Sequence, residues 1–144
     1  MAIGTLDRKD EFVGRLNDDE EFSSEMRWFD GSIAVTVGSE QLWLKIYRGQ
    51  VIDSMDHTPA FGATIGLAGS EDAWSRVVSG ELTFSDAVSA GSRHLASYAD
   101  AEVEGGGYRT PEIQISGNGF EAGRVHVGLR RLVLLFAETY RRVR

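Results

Sequence analysis

SIAVTVGSEQLWLKIYRGQVIDSM, residues 32–55, runs on a period of two. Ile33, Val35 and Val37 alternate with Ala34 and Thr36, and Leu42, Leu44 and Ile46 alternate with Trp43, Lys45 and Tyr47. Successive side chains of a strand point to opposite faces, so the alternation predicts strands with one apolar face each. Gly38-Ser39 supplies a two-residue hairpin turn with glycine first, and Arg48-Gly49-Gln50 turns the chain again into Val51–Met55. Together these predict an antiparallel meander of three strands.

On either side the period lengthens to that of a helix. Thr5 to Leu16 places Leu6, Phe12, Val13 and Leu16 on one stripe. Asn17 then reads as an N-cap with Glu20 three residues on, and four acids (Asp18 to Glu21) crowd the first turn, where the helix dipole favours them. Phe22, Met26 and Phe29 give the second helix its stripe, with a stop near Asp30-Gly31. Beyond the meander and the loop His57 to Ala60, a fourth strand is expected from Phe61 to Leu67, with Phe61, Ala63, Ile65 and Leu67 on one face. Gly62 and Gly66 on its other face imply a close neighbour there. Ser70 caps a helix with Trp74, Val77 and Val78 on its stripe and Gly80 at its stop. A short helix follows, capped at Thr83 or Ser85, with Phe84, Ala87 and Val88 inward and Gly91 at its end. Residues 92–110 carry an acidic, glycine-rich loop between Glu102 and Gly107. Glu112 to Ser116 makes a fifth strand, and Asn118 with Glu121 forms a capping box for a terminal helix reaching about Arg142. Its stripe is Val125, Leu129, Leu132, Val133, Phe136 and Tyr140, with Leu134 and Leu135 beside it. That near-encircling apolar surface calls for a ligand or a second subunit as cover.

The chain has 144 residues, 42% of them hydrophobic, enough for one domain that buries about two thirds of its unfolded surface. It is read as a single domain, 1–144, with N-terminal helices (1–28), an insertion or lid (92–110) and a terminal helix (118–142). Its net charge of −7 argues against nucleic acid or an anionic membrane as the main partner. With no cysteine, disulfides, thiolate nucleophiles and cysteine-ligated zinc are excluded, and a reducing cytoplasm is the expected compartment. The longest apolar run, Leu132 to Ala137, is far below the roughly 18 residues of a membrane span. Thirteen arginines against two lysines fit a GC-rich, bacterial gene. Residues 1–30 carry nine acids and four bases, and residues 120–144 two acids and six bases, so packing of the two ends on each other is electrostatically favourable.

Motifs for chemistry are sparse. Gly117 to Gly123 follows a strand and opens a helix as a dinucleotide-binding turn does, but the last glycine is one residue late and no parallel strand follows to complete the unit. No Gly-x-Ser-x-Gly elbow and no phosphate-binding Gly-Lys-Ser/Thr loop occurs. Asp53, Asp56 and His57 cluster at a strand end and have the right chemistry for acid and base work, yet His94 and His126 lie far off and no metal-ligand spacing appears. No metal and no cofactor is expected. Trp43, Phe61, Trp74, Phe84 and Phe136 are spread over elements that converge on one interior, a surplus of large apolar surface that points to an apolar cavity.

Phe29-Asp30-Gly31-Ser32, the hairpins to Val51, Ala73-Trp74 through Gly80-Glu81-Leu82-Thr83, Asp86-Ala87, Gly91 and the pair Gly117-Asn118 resemble the sterol carrier protein (SCP-type) lipid-transfer domain over residues 29 to 136. The resemblance implies an α+β fold, a five-stranded, largely antiparallel sheet covered by helices, with a hydrophobic tunnel for sterols, acyl chains or similar molecules between them. Residues 92–110 and the long terminal helix depart from the family pattern. The peroxisomal address of eukaryotic members is absent, since the chain ends Arg142-Val143-Arg144.

Three functions follow as expectations. The first is a carrier or binding module for a hydrophobic small molecule, lined by Phe61, Ile65, Trp74, Val77, Phe84, Leu129, Leu132, Val133 and Phe136. The second is a cofactor-free isomerase or cyclase in the same cavity, with Asp53, Asp56 or Glu112 as acid or base and His57, Tyr98 or Tyr108 assisting. The third is a homodimer through the terminal helix, seamed by Leu134 and Leu135.

Overall fold

In the computed structural model, which describes residues 8–88 and 112–141, the period-two stretch forms β1 (Asp30–Val37), β2 (Glu40–Tyr47) and β3 (Gln50–Met55). Val37 pairs with Glu40 across Gly38-Ser39, and the glycine alone has a positive φ (62°), as a glycine-first turn requires. Tyr47 pairs with Gln50 across Arg48-Gly49, both left-handed at 54° and 80°, so Gln50 already belongs to the strand. Gly49 meets a second demand, because a Cβ there would run into the backbone carbonyl of Ser23.

Two further strands, β4 (Ile65–Gly69) and β5 (Ile113–Gly117), complete a sheet ordered β3-β2-β1-β4-β5. The β1–β4 pair is parallel and the other three are antiparallel. The expected fourth strand thus begins at Ile65 and not at Phe61. Gly62 N donates to Pro59 O at 2.8 Å in a turn, and the left-handed φ of Gly62 (85°) breaks the alternation between Phe61 and Ile65. This loop lies over the outer face of β2, where Trp43 Nε1 donates to Gly62 O (3.3 Å) and Gln41 Oε1 accepts from Thr58 N (2.8 Å).

Six helices are described: α1 (Lys9–Asp18), α2 (Glu20–Glu25), α3 (Glu71–Ser79), α4 (Phe84–Val88), α5 (Gly119–Arg124) and α6 (His126–Tyr140). Ser70 and Asn118 cap α3 and α5 as read from the sequence, accepting from Ala73 N and Glu121 N at 3.0 Å each. The cap of α2 is Asp19, which accepts from Phe22 N at 2.8 Å, and not Asn17. Asn17 instead brackets the edge strand, accepting from Val51 N (2.7 Å) and donating to Val51 O (3.2 Å) as a neighbouring strand would. The single terminal helix expected over 118–142 divides at Val125 (φ −111°). Leu6, Gly91, Tyr98, Tyr108, the 92–110 segment and Arg142 lie outside the described residues. Among those described, no helix is long and apolar enough to cross a membrane.

All core-facing helices pack on one face of the sheet. Ile33, Val35, Leu42, Leu44, Ile46, Ile65 and Leu67 are buried there under Phe12, Leu16, Phe22, Trp74, Leu129 and Phe136. Gly128 lets α6 approach Met26, whose sulfur occupies the space of a Cβ. The acidic and basic ends meet as their charges favour. Arg131 forks onto Asp19 (2.9 and 2.6 Å), and Arg15 reaches Glu138 at 3.5 Å.

Arg131 holds the Asp19 carboxyl below its ordinary value of 3.8. Because the folded value is the lower one, this stabilisation is complete above the ordinary value and fades as pH falls through the folded one. At neutral pH, Asp19→Ala, which loses both cap and ion pair, is expected to cost about 2 kcal/mol. Asp19→Asn keeps the cap and should cost about half as much. Urea unfolding measures both, and the wild type and the Asn variant should converge in acid.

Candidate functional site

Gly80, left-handed at φ 90°, ends α3 and turns the chain so that Leu82 N donates back to Arg76 O at 3.1 Å. Thr83 caps α4 through Asp86 N (3.1 Å), which sets Phe84 and Ala87 inward. Opposite, α6 presents Arg130, Val133, Leu134 and Ala137, at the i, i+3, i+4 and i+7 spacing of one helix face. Between them lies a cleft of about 410 Å³. Its apolar lining is Val77, Leu82, Phe84, Val133, Leu134 and Ala137, with Thr83, Ser85, Arg130 and Arg141 as its polar members. Arg141 Nε is anchored on Val78 O at 2.8 Å, while Arg130 makes no hydrogen bond or ion pair among the described residues.

Between sheet and helices, buried aromatic side chains pack against one another. Trp74 meets Phe136 at 4.9 Å between ring centroids, and Phe12 meets Phe136 at 5.4 Å and Tyr140 at 6.4 Å, all edge-on. Of the nine lining residues expected from the sequence, Val77, Phe84 and Val133 border the cleft. Ile65, Trp74, Leu129, Leu132 and Phe136 are fully buried in the core between sheet and helices. Phe61 is 80% exposed, with its ring 6.0 Å from Trp43 on the opposite side of the sheet. The expected convergence of five aromatics therefore splits: Trp74, Phe84 and Phe136 share the helical side, and Trp43 and Phe61 do not. Leu135 faces the core at 5% exposure, which removes it from an outer seam, and Leu134, 43% exposed, turns into the cleft.

The carboxylates are not brought together. Asp56 pairs with His57 at 3.1 Å, and that hydrogen bond lowers the carboxyl's pKa, but both side chains are largely exposed. Asp53 accepts from Ser54 N at 2.9 Å on β3, at one edge of the sheet. Glu112 pairs with Arg76 at 2.5 Å beside β5, at the other edge. Among the described residues, no three potential ligating side chains cluster as a metal site.

Leu82, Thr83, Ser85, Arg130, Leu134, Ala137 and Arg141 are the cleft residues not singled out as ligand contacts from the sequence. For Leu134 a signal existed, the apolar surface beside the main stripe of α6. For the others the position depends on where α4 comes to rest.

Solved structures share this architecture. The crystal structure of sterol carrier protein 2 superposes with a TM-score of 0.61 at 14% identity, covering 91% of this chain and 94% of that one. The solution structure of a conserved hypothetical protein from Thermus thermophilus, itself suggested to be a sterol carrier protein, gives 0.58 at 14% identity, covering 89% and 82%. The chain has the sterol carrier protein fold. No protein-family model and no curated protein matches it. At such identity the likeness concerns the fold alone.

The placement of the aromatics is testable. Trp74→Ala, which empties a buried site and removes the indole hydrogen bond to the Thr36 carbonyl, is expected to cost roughly 3–5 kcal/mol, while Phe61→Ala costs under about 1 kcal/mol. Equal losses in chemical denaturation would contradict the opposite placements described above.

Proposed function

We propose that this chain binds a hydrophobic small molecule in the cleft between α4 and α6, as a carrier or binding module. The observation that carries the reading is the cleft's make-up: six apolar residues around about 410 Å³, within the usual size range of small-molecule sites, with a few convergent polar groups. A ligand with an apolar body buries against Val77, Phe84, Val133 and Leu134, and the donors of Thr83, Ser85, Arg130 and Arg141 orient whatever acceptor it carries. The sterol-carrier architecture is consistent with this use, since it supplies the helix-covered sheet against which such a cleft is built. The reading treats the chain as one domain and assigns no reaction to it: Asp53, Asp56 and Glu112 are not among the cleft's lining residues.

Native mass spectrometry of the purified protein should detect a retained lipid-like ligand, and an environment-sensitive fluorescent fatty acid should bind and be displaced by apolar competitors. Leu134→Glu, at a half-exposed position that folding tolerates, should weaken binding at least about tenfold, since one leucine contact is worth about 1.5–3 kcal/mol. Binding unchanged in that variant would move the site elsewhere, and no binding of acyl, sterol or polyketide-like probes would overturn the reading.

A further inference from the structure

The register of the sheet gathers exposed aromatic side chains at one end. Asp30 pairs with Tyr47, Ile33 with Ile65, and Ile65 with Gly117, so the starts of β1 and β4 and the ends of β2 and β5 lie together. Trp28 precedes β1, Tyr47 ends β2, Phe61 lies in the loop entering β4 and Phe120 sits in α5 just after β5. Their exposures are 75, 43, 80 and 77%, whereas Trp43 and Trp74 stand at 4 and 0%. Trp28 and Tyr47 border one shallow concavity with Arg27, Asp30 and Arg48. Asp30 also borders the next concavity, which holds Phe61 and Lys45. Arg124, one turn along α5 from Phe120, donates to Trp28 O at 3.3 Å. The surface is therefore continuous, and exposed apolar area of this kind marks an interaction site.

Its charge differs from that of the chain as a whole. The Arg27 guanidinium lies 5.6 Å over the Trp28 ring and that of Arg48 5.3 Å over Tyr47. Lys45 and Arg124 are paired with Asp30 and Glu121. Arg27 and Arg48 make no ion pair among the described residues, so this end carries two uncompensated cations on a molecule of net charge −7. Aromatic rings topped by guanidinium groups suit the water–lipid boundary, where Trp and Tyr sit at headgroup depth and cations meet anionic phosphates. A second copy fits poorly, because a two-fold contact would bring both copies' Arg27 and Arg48, four cations without ion pairs among the described residues, into one interface.

We propose that this end of the sheet docks on an anionic lipid surface, with Trp28, Tyr47 and Phe61 at headgroup depth and Arg27 and Arg48 on lipid phosphates. The overall negative charge, which disfavours such a surface on average, then restricts docking to this one orientation. The surface is separate from the α4–α6 cleft, and the proposal holds whether or not that cleft binds a ligand.

The full chain is mixed with vesicles of phosphatidylcholine alone and of phosphatidylcholine with phosphatidylglycerol, at low and at high salt. Trp28 is the exposed one of the three tryptophans, so a blue shift of emission and quenching by brominated acyl chains report its insertion. The expected result is co-flotation at least about tenfold stronger with the anionic vesicles and weakened by salt. Arg27→Glu with Arg48→Glu, and separately Trp28→Ala with Phe61→Ala, should each reduce it about tenfold without moving the urea midpoint. Leu134→Glu should leave it unchanged, which separates this test from that of the cleft. Equal or absent flotation with both vesicle types would overturn the proposal. So would a dimer in sedimentation that Trp28→Ala dissolves, which would give the face to a second copy.

Discussion

Trp74 donates its indole N–H to the Thr36 carbonyl at 2.9 Å while its ring meets Phe136 edge-on at 4.9 Å, so one side chain ties α3 both to the end of β1 and to α6. The indole also sets the height of α3 above the sheet, because it stands where Gly69 has no side chain: a Cβ there would come within 3.2 Å of Nε1. With that distance set, Phe12 packs edge-on against Phe136 and Tyr140, and Tyr140 lies tilted against Phe136. The cleft lies beside this packing, between α4 and the Val133–Leu134 face of α6.

Charge enters the fold at two levels. Along the chain the acidic N-terminal and basic C-terminal segments are complementary, and Arg131 on Asp19 joins them across 112 residues while Asp19 also caps α2. One carboxylate thus serves a local and a long-range role, the second being partly shielded from water and correspondingly effective. At the aromatic end of the sheet the balance is reversed, since Arg27 and Arg48 stack on rings and pair with no carboxylate among the described residues. Net charge describes how the molecule behaves at a distance, and says little about a patch whose cations are set by the turn after α2 and the β2–β3 hairpin.

The second face of the sheet shows how a correct pattern can be extended too far. Ile65 and Leu67 do alternate into the core, and counting backward by two reaches Phe61. The count fails at Gly62, whose left-handed backbone turns the chain and leaves Phe61 outside. Asn17 presents the related case: its cap-forming chemistry was legible, but its amide serves the backbone of Val51 on β3, and Asp19 takes the helix. In both, the residue type announced a specific role and the neighbourhood chose which partner received it.

What the amino-acid order determined by itself was the set of elements: three strands with two tight turns, a helix from Ser70 to Gly80 around Trp74, a capped α5, and apolar stripes that face inward. These are consequences of side-chain period, caps and left-handed glycines, which act over a few residues. Val77, Phe84 and Val133 were legible as cleft candidates for the same reason, each lying on an apolar stripe. Tertiary structure alone decided that β4 lies parallel to β1, that Trp43 and Phe61 lie on the face of the sheet opposite Trp74 and Phe136, and that Leu134 with Arg130 and Arg141 borders the cleft. Ser32 and Thr64, 32 residues apart, are joined by paired backbone-to-hydroxyl bonds of 3.1 Å each, and no local rule specifies such a partner. Close packing admits few arrangements of rigid elements, and which surfaces remain uncovered is known only once all of them are in place.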